Sequence, residues 1–336
     1  MENNKEKKFT VSTSPHFRSK DTTTGIMLNV IIALLPALIA SVFIFGFRSL
    51  TVTAVAVASC VFFEFISRKV MKRENTISDL SAVVTGMLLA FNLPASMPLW
   101  MVVIGSAIAI IVVKQFFGGI GQNFVNPALV GRIVLMASFP TAISSWVSPS
   151  KADAVTSATP LVPLGEMFTN GNISNEVLAN TNNLPSLLDM FLGQRQGCLG
   201  EVCAVALIIG GIYLVVRKII SPVIPLVYVG TVALIMLIAG KGNLQFVAYE
   251  ILGGGLLLGA IFMATDYTTS PVTFKGKIIF ALGCGIITSL IRLFGSLPEG
   301  VSFSIVIMNI LVPHIENLTA PKPFGFKKEK KEKDAV

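Results

Sequence analysis

Ile26–Phe47 reads IMLNVIIALLPALIASVFIFGF, a run without a single charged residue. Wound as an α-helix it would reach about 33 Å at 1.5 Å per residue, enough to cross the roughly 30 Å hydrocarbon core of a bilayer. Signal peptides carry shorter apolar cores, commonly about 7–15 residues before a small-residue cleavage site. This run is too long and has no such site, so it reads as a retained first helix. Segments of the same character follow at Leu50–Ile66, Asp79–Leu93, Pro98–Lys114 and Pro127–Phe139. Beyond a polar stretch come Glu201–Val216, Pro222–Ala239, Val247–Thr265, Lys277–Leu293 and Val301–Ile315. The third and fifth segments are short and interrupted by polar residues, the character of broken or re-entrant helices. The composition agrees: 53% of the 336 residues are hydrophobic and only 13% charged, about half the charge of a soluble domain. The expected fold class is an all-α membrane protein, with the lipid bilayer as its solvent.

The net charge of +8 would suit nucleic acid, but its distribution excludes that partner. Lys and Arg gather in the tails and in short loops, where the positive-inside rule operates. With the N-terminus in the cytoplasm, the inner face receives Lys5, Lys7, Lys8, Arg18, Lys20, Arg68, Lys69, Lys72, Arg73, Lys114, Arg217, Lys218, Lys275, Lys277 and the basic C-terminal tail. The outer face keeps only Arg48, Lys151, Arg195, Lys241 and Arg292. An even number of crossings, with both termini cytoplasmic, satisfies every loop.

The polar stretch 141–200 then faces outward and splits the chain into two halves of five helices. Because five is odd, the halves must insert with opposite topology, the arrangement of inverted repeats whose sites lie at the repeat interface beside broken helices. The expected organisation is a tail at 1–24, a first repeat at 25–140, the outer loop at 141–200, a second repeat at 201–315 and a basic tail at 316–336. Breaks are expected at Gly86–Pro94 and Asn126-Pro127 in the first half, and at Gly253-Gly254-Gly255, Asp266 and Pro271 in the second. Ordinary packing breaks would leave the same marks.

The outer loop holds Asp153-Ala-Val-Thr156-Ser157-Ala158-Thr159-Pro160-Leu161. On its own this is a Ser/Thr turn closed by proline, and no base stands nearby to activate a hydroxyl. The D-x-x-T-S-A-T segment nevertheless resembles the target motif of bacterial flavin transferases, which join FMN through its phosphate to the last Thr. TGMLLAFNLP (85–94), GQNFVNPALVGR (121–132) and ATDYTTSP (264–271) are similar to segments of one family. That family comprises the D subunit of the Rnf electron-transport complex and the B subunit of the sodium-pumping NADH:quinone oxidoreductase. The resemblance runs from Ser14 to Pro313, and the chain's length favours the Rnf side.

The resemblance implies a membrane subunit of an ion-translocating ferredoxin:NAD+ oxidoreductase in a bacterial cytoplasmic membrane, with a urea-transporter-like architecture. It implies FMN as a phosphoester on Thr159, outside the cytoplasm, with Asp153, Thr156, Ser157 and Ala158 read by the transferase. A second, non-covalent flavin (riboflavin or FMN) is also implied. So are the complex's A, B, C, E and G subunits as partners, above all the flavin-bearing G subunit.

Glu64, Asp79, Lys114, Arg132, Glu201, Glu250 and Asp266 lie in or beside the spans. Charges at membrane depth default to functional candidates, although near helix ends they can snorkel to water. Asp79 and Asp266 are retained as ion-site or second-flavin-site candidates, expected to flank the two helix breaks. Cys198 and Cys203 have a C-x4-C spacing without further ligands, so packed thiols, a disulfide or a cluster completed by a partner all remain open. Only His16 and His314 exist, which leaves no histidine-based catalytic site, and no metal site is expected. Gly118-Gly-Ile-Gly121 lacks the βαβ setting of a dinucleotide fingerprint. Two other classes fit the pattern, a stand-alone solute channel or transporter and a structural scaffold. The DAVTSAT loop separates them, because neither has a use for it.

Overall fold

The computed structural model describes residues 22–146, 160–169, 184–295 and 299–321, and its regular elements there are all helical. In chain order they are α1 (Thr23–Phe45), α2 (Phe47–Val70), α3 (Ser81–Phe91), α4 (Leu99–Gln115), α5 (Pro127–Ser138) and the short α6 (Pro140–Ile143). Within the 141–200 stretch lie α7 (Leu161–Thr169) and α8 (Leu187–Leu192), and beyond it come α9 (Ala204–Val216), α10 (Val223–Ala239), α11 (Leu244–Leu252), α12 (Leu256–Met263), α13 (Phe274–Phe294) and α14 (Val301–Thr319). Four of these, α1, α2, α13 and α14, are long and apolar enough to cross a membrane alone. The pair α11 and α12 is long and apolar enough together for a fifth span and is bent by 65° at its break, and α3, α4, α5, α9 and α10 are shorter apolar helices.

Local chemistry sets the ends. The Thr22 hydroxyl caps α1 by accepting from Gly25 N–H at 3.1 Å, which satisfies one of the free donors of a first turn. Gly46 turns the chain between α1 and α2 with φ +78°, a left-handed conformation that costs glycine little. Asn126 caps α5 from its side chain, and Pro127 follows at the first helical position, where its missing N–H goes unmissed.

Packing follows the rule for helices in lipid, where small residues let backbones approach. A Cβ on Gly86 would lie 2.7 Å from Val57 Cα, and one on Gly285 would lie 2.5 Å from Thr231 Cβ. These glycines fix the α2–α3 and α10–α13 crossings. The halves are joined by α1 against α9 and by α5 against α14. Large apolar side chains point outward, among them Phe43 on α1, Leu226 on α10 and Phe294 on α13.

The breaks fall where proline and glycine cluster. Gly86 sits inside α3, and the first interruption begins only at Asn92, running through Leu93-Pro94 to Pro98. Carbonyls freed there are taken by the chain just before α9: Leu199 N–H donates to Leu93 O at 3.0 Å and Gly200 N–H to Phe91 O at 3.0 Å. The second interruption is Gly253–Gly255, and Gly254 adopts φ +62°. Non-helical backbone at membrane depth needs such internal partners.

The last turns of α4 (Ile108–Gln115) and α12 (Gly259–Met263) widen into π-helix. There Phe116 N–H donates to Ile111 O at 3.0 Å and Ala264 N–H to Gly259 O at 2.7 Å. Such wide turns concentrate at functional sites.

Candidate functional site

Two buried polar centres occupy the core. The first is built around the breaks. Arg132 on α5 is ion-paired with Glu299; it also donates to Asn92 Oδ1 at 2.9 Å and Ser302 Oγ at 3.1 Å. Arg292 on α13 spends its donors on the end of α11: Glu250 O at 2.5 Å, Glu250 Oε2 at 3.1 Å and Gly253 O at 3.2 Å. Its Nε–H reaches Glu299 O at 3.1 Å. Arg195 donates to Glu201 O at 2.6 Å, and Glu201 Oε1 accepts from Cys198 N–H at 2.9 Å. This centre therefore closes helix ends that the breaks leave open.

The thiol of Cys198 lies in the same centre, 3.2 Å from Asn92 O. Burial, followed by the nearby Glu201 carboxylate, pushes it well above the ordinary thiol range. Cys198, Glu201 and Glu299 converge within 4.8 Å; Arg132 is paired with Glu299 Oε2, while Glu299 Oε1 is buried without a partner among the described residues. All four cysteines are free thiols, so Cys198 and Cys203 form no disulfide.

The second centre is a cavity of about 280 Å³ at the end of the bundle where α1 starts and α4 and α12 end. Its walls are apolar, with Ile26, Val30, Leu88 and Phe262 among them, and its polar groups include Asn123, Asn126, Asp266 and Lys114. Asn126 Nδ2 donates to Met263 O at 3.3 Å, tying the loop before α5 to the end of α12. Asp266 accepts the hydroxyls of Thr268 at 2.9 Å and Thr269 at 3.2 Å.

Lys114, in the π-turn of α4, donates to Glu64 Oε2 at 2.7 Å and to Ser81 Oγ at 2.6 Å. The Ser81 hydroxyl in turn donates to Asp79 Oδ1 at 2.5 Å, while Asp79 Oδ2 is buried without a partner among the described residues. The arrangement of an apolar slot with a few convergent polar groups is that of a small-molecule site.

Expected site residues fall in three places. Asp153, Thr156, Ser157, Ala158 and Thr159 lie outside the described residues. The described chain resumes at Pro160, and buried Leu161 packs against the second break: a Cβ on Gly253 or on Gly254 would meet it at 2.8 Å. Asp79 and Asp266 lie away from the Leu93-Pro94 and Gly253–Gly255 interruptions, Asp266 in the non-helical stretch between α12 and α13 and Asp79 just before α3. Asp266 follows the far end of α12 and lines the cavity, whereas Asp79 sits one hydroxyl behind its wall.

The charges expected to snorkel do not. Glu64 is 0% exposed, Lys114 3%, Arg132 2% and Glu250 3%, and each has an opposite charge beside it. Arg195 and Arg292, assigned above to topology alone, are buried in the first centre. Glu299 carries no sequence signal at all, because one acidic residue in a short loop looks solvated until its partner is known.

A family model described as the NQR2, RnfD, RnfE family matches residues 10–325. The chain is 48% identical over 332 residues to the D subunit of the Na(+)-translocating ferredoxin:NAD(+) oxidoreductase complex of Acetobacterium woodii, covering 98% of this chain and 99% of the relative. It is 44% identical over 323 residues to the D subunit of the proton-translocating ferredoxin:NAD(+) oxidoreductase complex of Clostridium ljungdahlii, covering 94% of this chain and 96% of the relative. The D subunit of an ion-translocating oxidoreductase complex of Escherichia coli is 30% identical, with 95% of this chain and 99% of the relative covered. The chain belongs to the NQR2, RnfD, RnfE family.

Proposed function

We propose that this family member is a membrane subunit of an ion-translocating ferredoxin:NAD+ oxidoreductase complex and carries electrons through flavin. The likeness over nearly the whole chain to two subunits of complexes with that activity is the observation that carries it. The complex's other subunits, including A, B, C, E and G, follow as partners. Sodium and proton are both named among these relatives, and either suits the proposal.

Ten spans in two inverted five-helix repeats fit the four long helices, the one bent crossing and the five shorter apolar helices. A π-turn and a break in each half add to that reading, as do the α1–α9 and α5–α14 contacts between halves. With both termini in the cytoplasm, as the Lys and Arg placement suggests, the cavity opens toward the inner face and the break centre lies toward the outer one. The solute-channel reading has no role for the DAVTSAT loop and is set aside.

Thr159 is the proposed attachment point for FMN, with Asp153, Thr156, Ser157 and Ala158 presented to a flavin transferase. Leu161, seated on Gly253-Gly254, would anchor the loop close behind the attachment point. The cavity suits a second, non-covalent flavin: apolar side chains for the ring faces, amides of Asn123 and Asn126 for its polar edge. A bound flavin supplies one- and two-electron redox chemistry, while the protein fixes its position, polarity and exposure. Asp79 and Asp266 are the carboxylates placed to meet an ion at the same end.

The test is ultraviolet fluorescence of the denatured protein on a gel, wild type beside Thr159→Ala, both made with an active flavin transferase. A fluorescent wild-type band that disappears in the variant is expected. A dark wild-type band, with a control substrate labelled, would overturn the covalent flavin.

A further inference from the structure

We infer that Lys114 is a positioning and charge-compensating residue for the flavin of the cavity, with Glu64 setting how much of its charge that flavin feels. The inference rests on the reading of the cavity as a second flavin site. Its own basis is a buried lysine in a cavity wall whose other described residues carry only apolar, amide, hydroxyl and carboxylate groups.

Lys114 is 3% exposed. Its amine lies 2.7 Å from Glu64, with Asp79 one hydroxyl further away through Ser81. Glu64 is itself fixed from the other side, because Thr76 donates to its second oxygen at 3.0 Å. Two of the three N–H donors of Lys114 are thus used among the described residues, and the third is free for whatever occupies the cavity. The widened turn of α4 places this residue on the cavity wall, beside Ser81 and across from Asp266.

The consequence is electrostatic. When the bound flavin takes one electron from a one-electron donor, such as a reduced iron–sulfur carrier or a neighbouring flavin, the donor is oxidised and the ring gains one negative charge. No bond forms or breaks. In a low-dielectric site a nearby fixed cation stabilises that added charge, and a carboxylate beside the cation offsets it. Removing Lys114 and removing Glu64 should therefore act in opposite senses on the reduction potential, although both break the same buried pair. A purely structural pair would give the same sense for both.

The experiment uses the intact complex in lipid nanodiscs carrying Lys114→Met, Lys114→Arg or Glu64→Gln in this chain. Acid extraction and chromatography count the non-covalent flavin, and spectroelectrochemical titration gives its midpoint potential. Lys114→Met should lower the potential, Glu64→Gln should raise it, and Lys114→Arg should keep it near wild type. The Glu64 variant retains Asp79 as a nearby carboxylate, one hydroxyl from Lys114. Shifts of the same sign in Lys114→Met and Glu64→Gln, or none in either, overturn the inference. If Lys114→Met does not assemble, a potential in Glu64→Gln at or below wild type overturns it alone. Wild-type complex with no extractable flavin removes the reading of the cavity and this inference with it, which separates the two failures.

Discussion

The two buried polar centres use the same kinds of residue for different ends. Around the breaks, Arg292 gives its donor groups to Glu250 and Gly253 at the end of α11 and to the carbonyl of Glu299, and Arg132 binds the side chains of Asn92, Ser302 and Glu299. That centre closes open helix ends, with Arg132 Nε and Glu299 Oε1 left buried without a partner among the described residues. At the other end, Lys114 keeps a donor in hand, Asp79 Oδ2 has no partner among the described residues, and a cavity of about 280 Å³ adjoins them. Hydrogen-bonding capacity is left over in both centres; the second differs in having a cavity beside it. Where a charge spends its donors on backbone, as Arg292 does, it belongs to the fold.

Arg292→Ala should make this contrast most visible. It strands Glu250 without its cation and bares two carbonyls at the second break, and losing one partner of a buried pair costs about 3–5 kcal/mol. Thermal unfolding in detergent should shift steeply downward, and a wild-type midpoint would show that the break centre is not the structural one. Leu161→Ala tests the seat on Gly253-Gly254. A buried Leu to Ala change costs about 2–5 kcal/mol, read in the same assay with Thr159 intact.

Asp266→Asn belongs to the open centre and should do the reverse. The amide oxygen still accepts from Thr268 or Thr269, so stability should change by less than about 1 kcal/mol. Ion transport coupled to electron transfer should nevertheless be lost in the reconstituted complex, and intact coupling would remove Asp266 as a candidate. The smallest effect is expected from thiol labelling. In the folded protein a polar maleimide should modify Cys203, which is half-buried, and spare Cys60, Cys198 and Cys284. Rapid labelling of Cys198 would mean that the break centre is open to water after all.

Much of this is legible in the chain. Each apolar segment reappears as a helix or a bent pair with ends shifted by a few residues, and the Gly253-Gly254-Gly255 and Leu93-Pro94 interruptions are true breaks. The GQNFVNP and ATDYTTSP segments line the cavity, although nothing in them announces a cavity. What the chain conceals is the state of the charges. Glu64 and Lys114 look cheap near helix ends because helix position says how close water is along the axis, but not what covers the side chain.

The sequence by itself determined that the protein lives in lipid, where its helices run, where they break, and which family it resembles. These are local properties: apolar length against bilayer thickness, and proline or glycine against helix continuity. Only the tertiary structure decided which charge meets which. Lys114 and Glu64 are separated by 50 positions, Arg292 and Glu250 by 42, and Arg132 and Glu299 by 167. An ion pair forms between atoms that packing brings within a few ångströms, and no spacing along the chain encodes that distance.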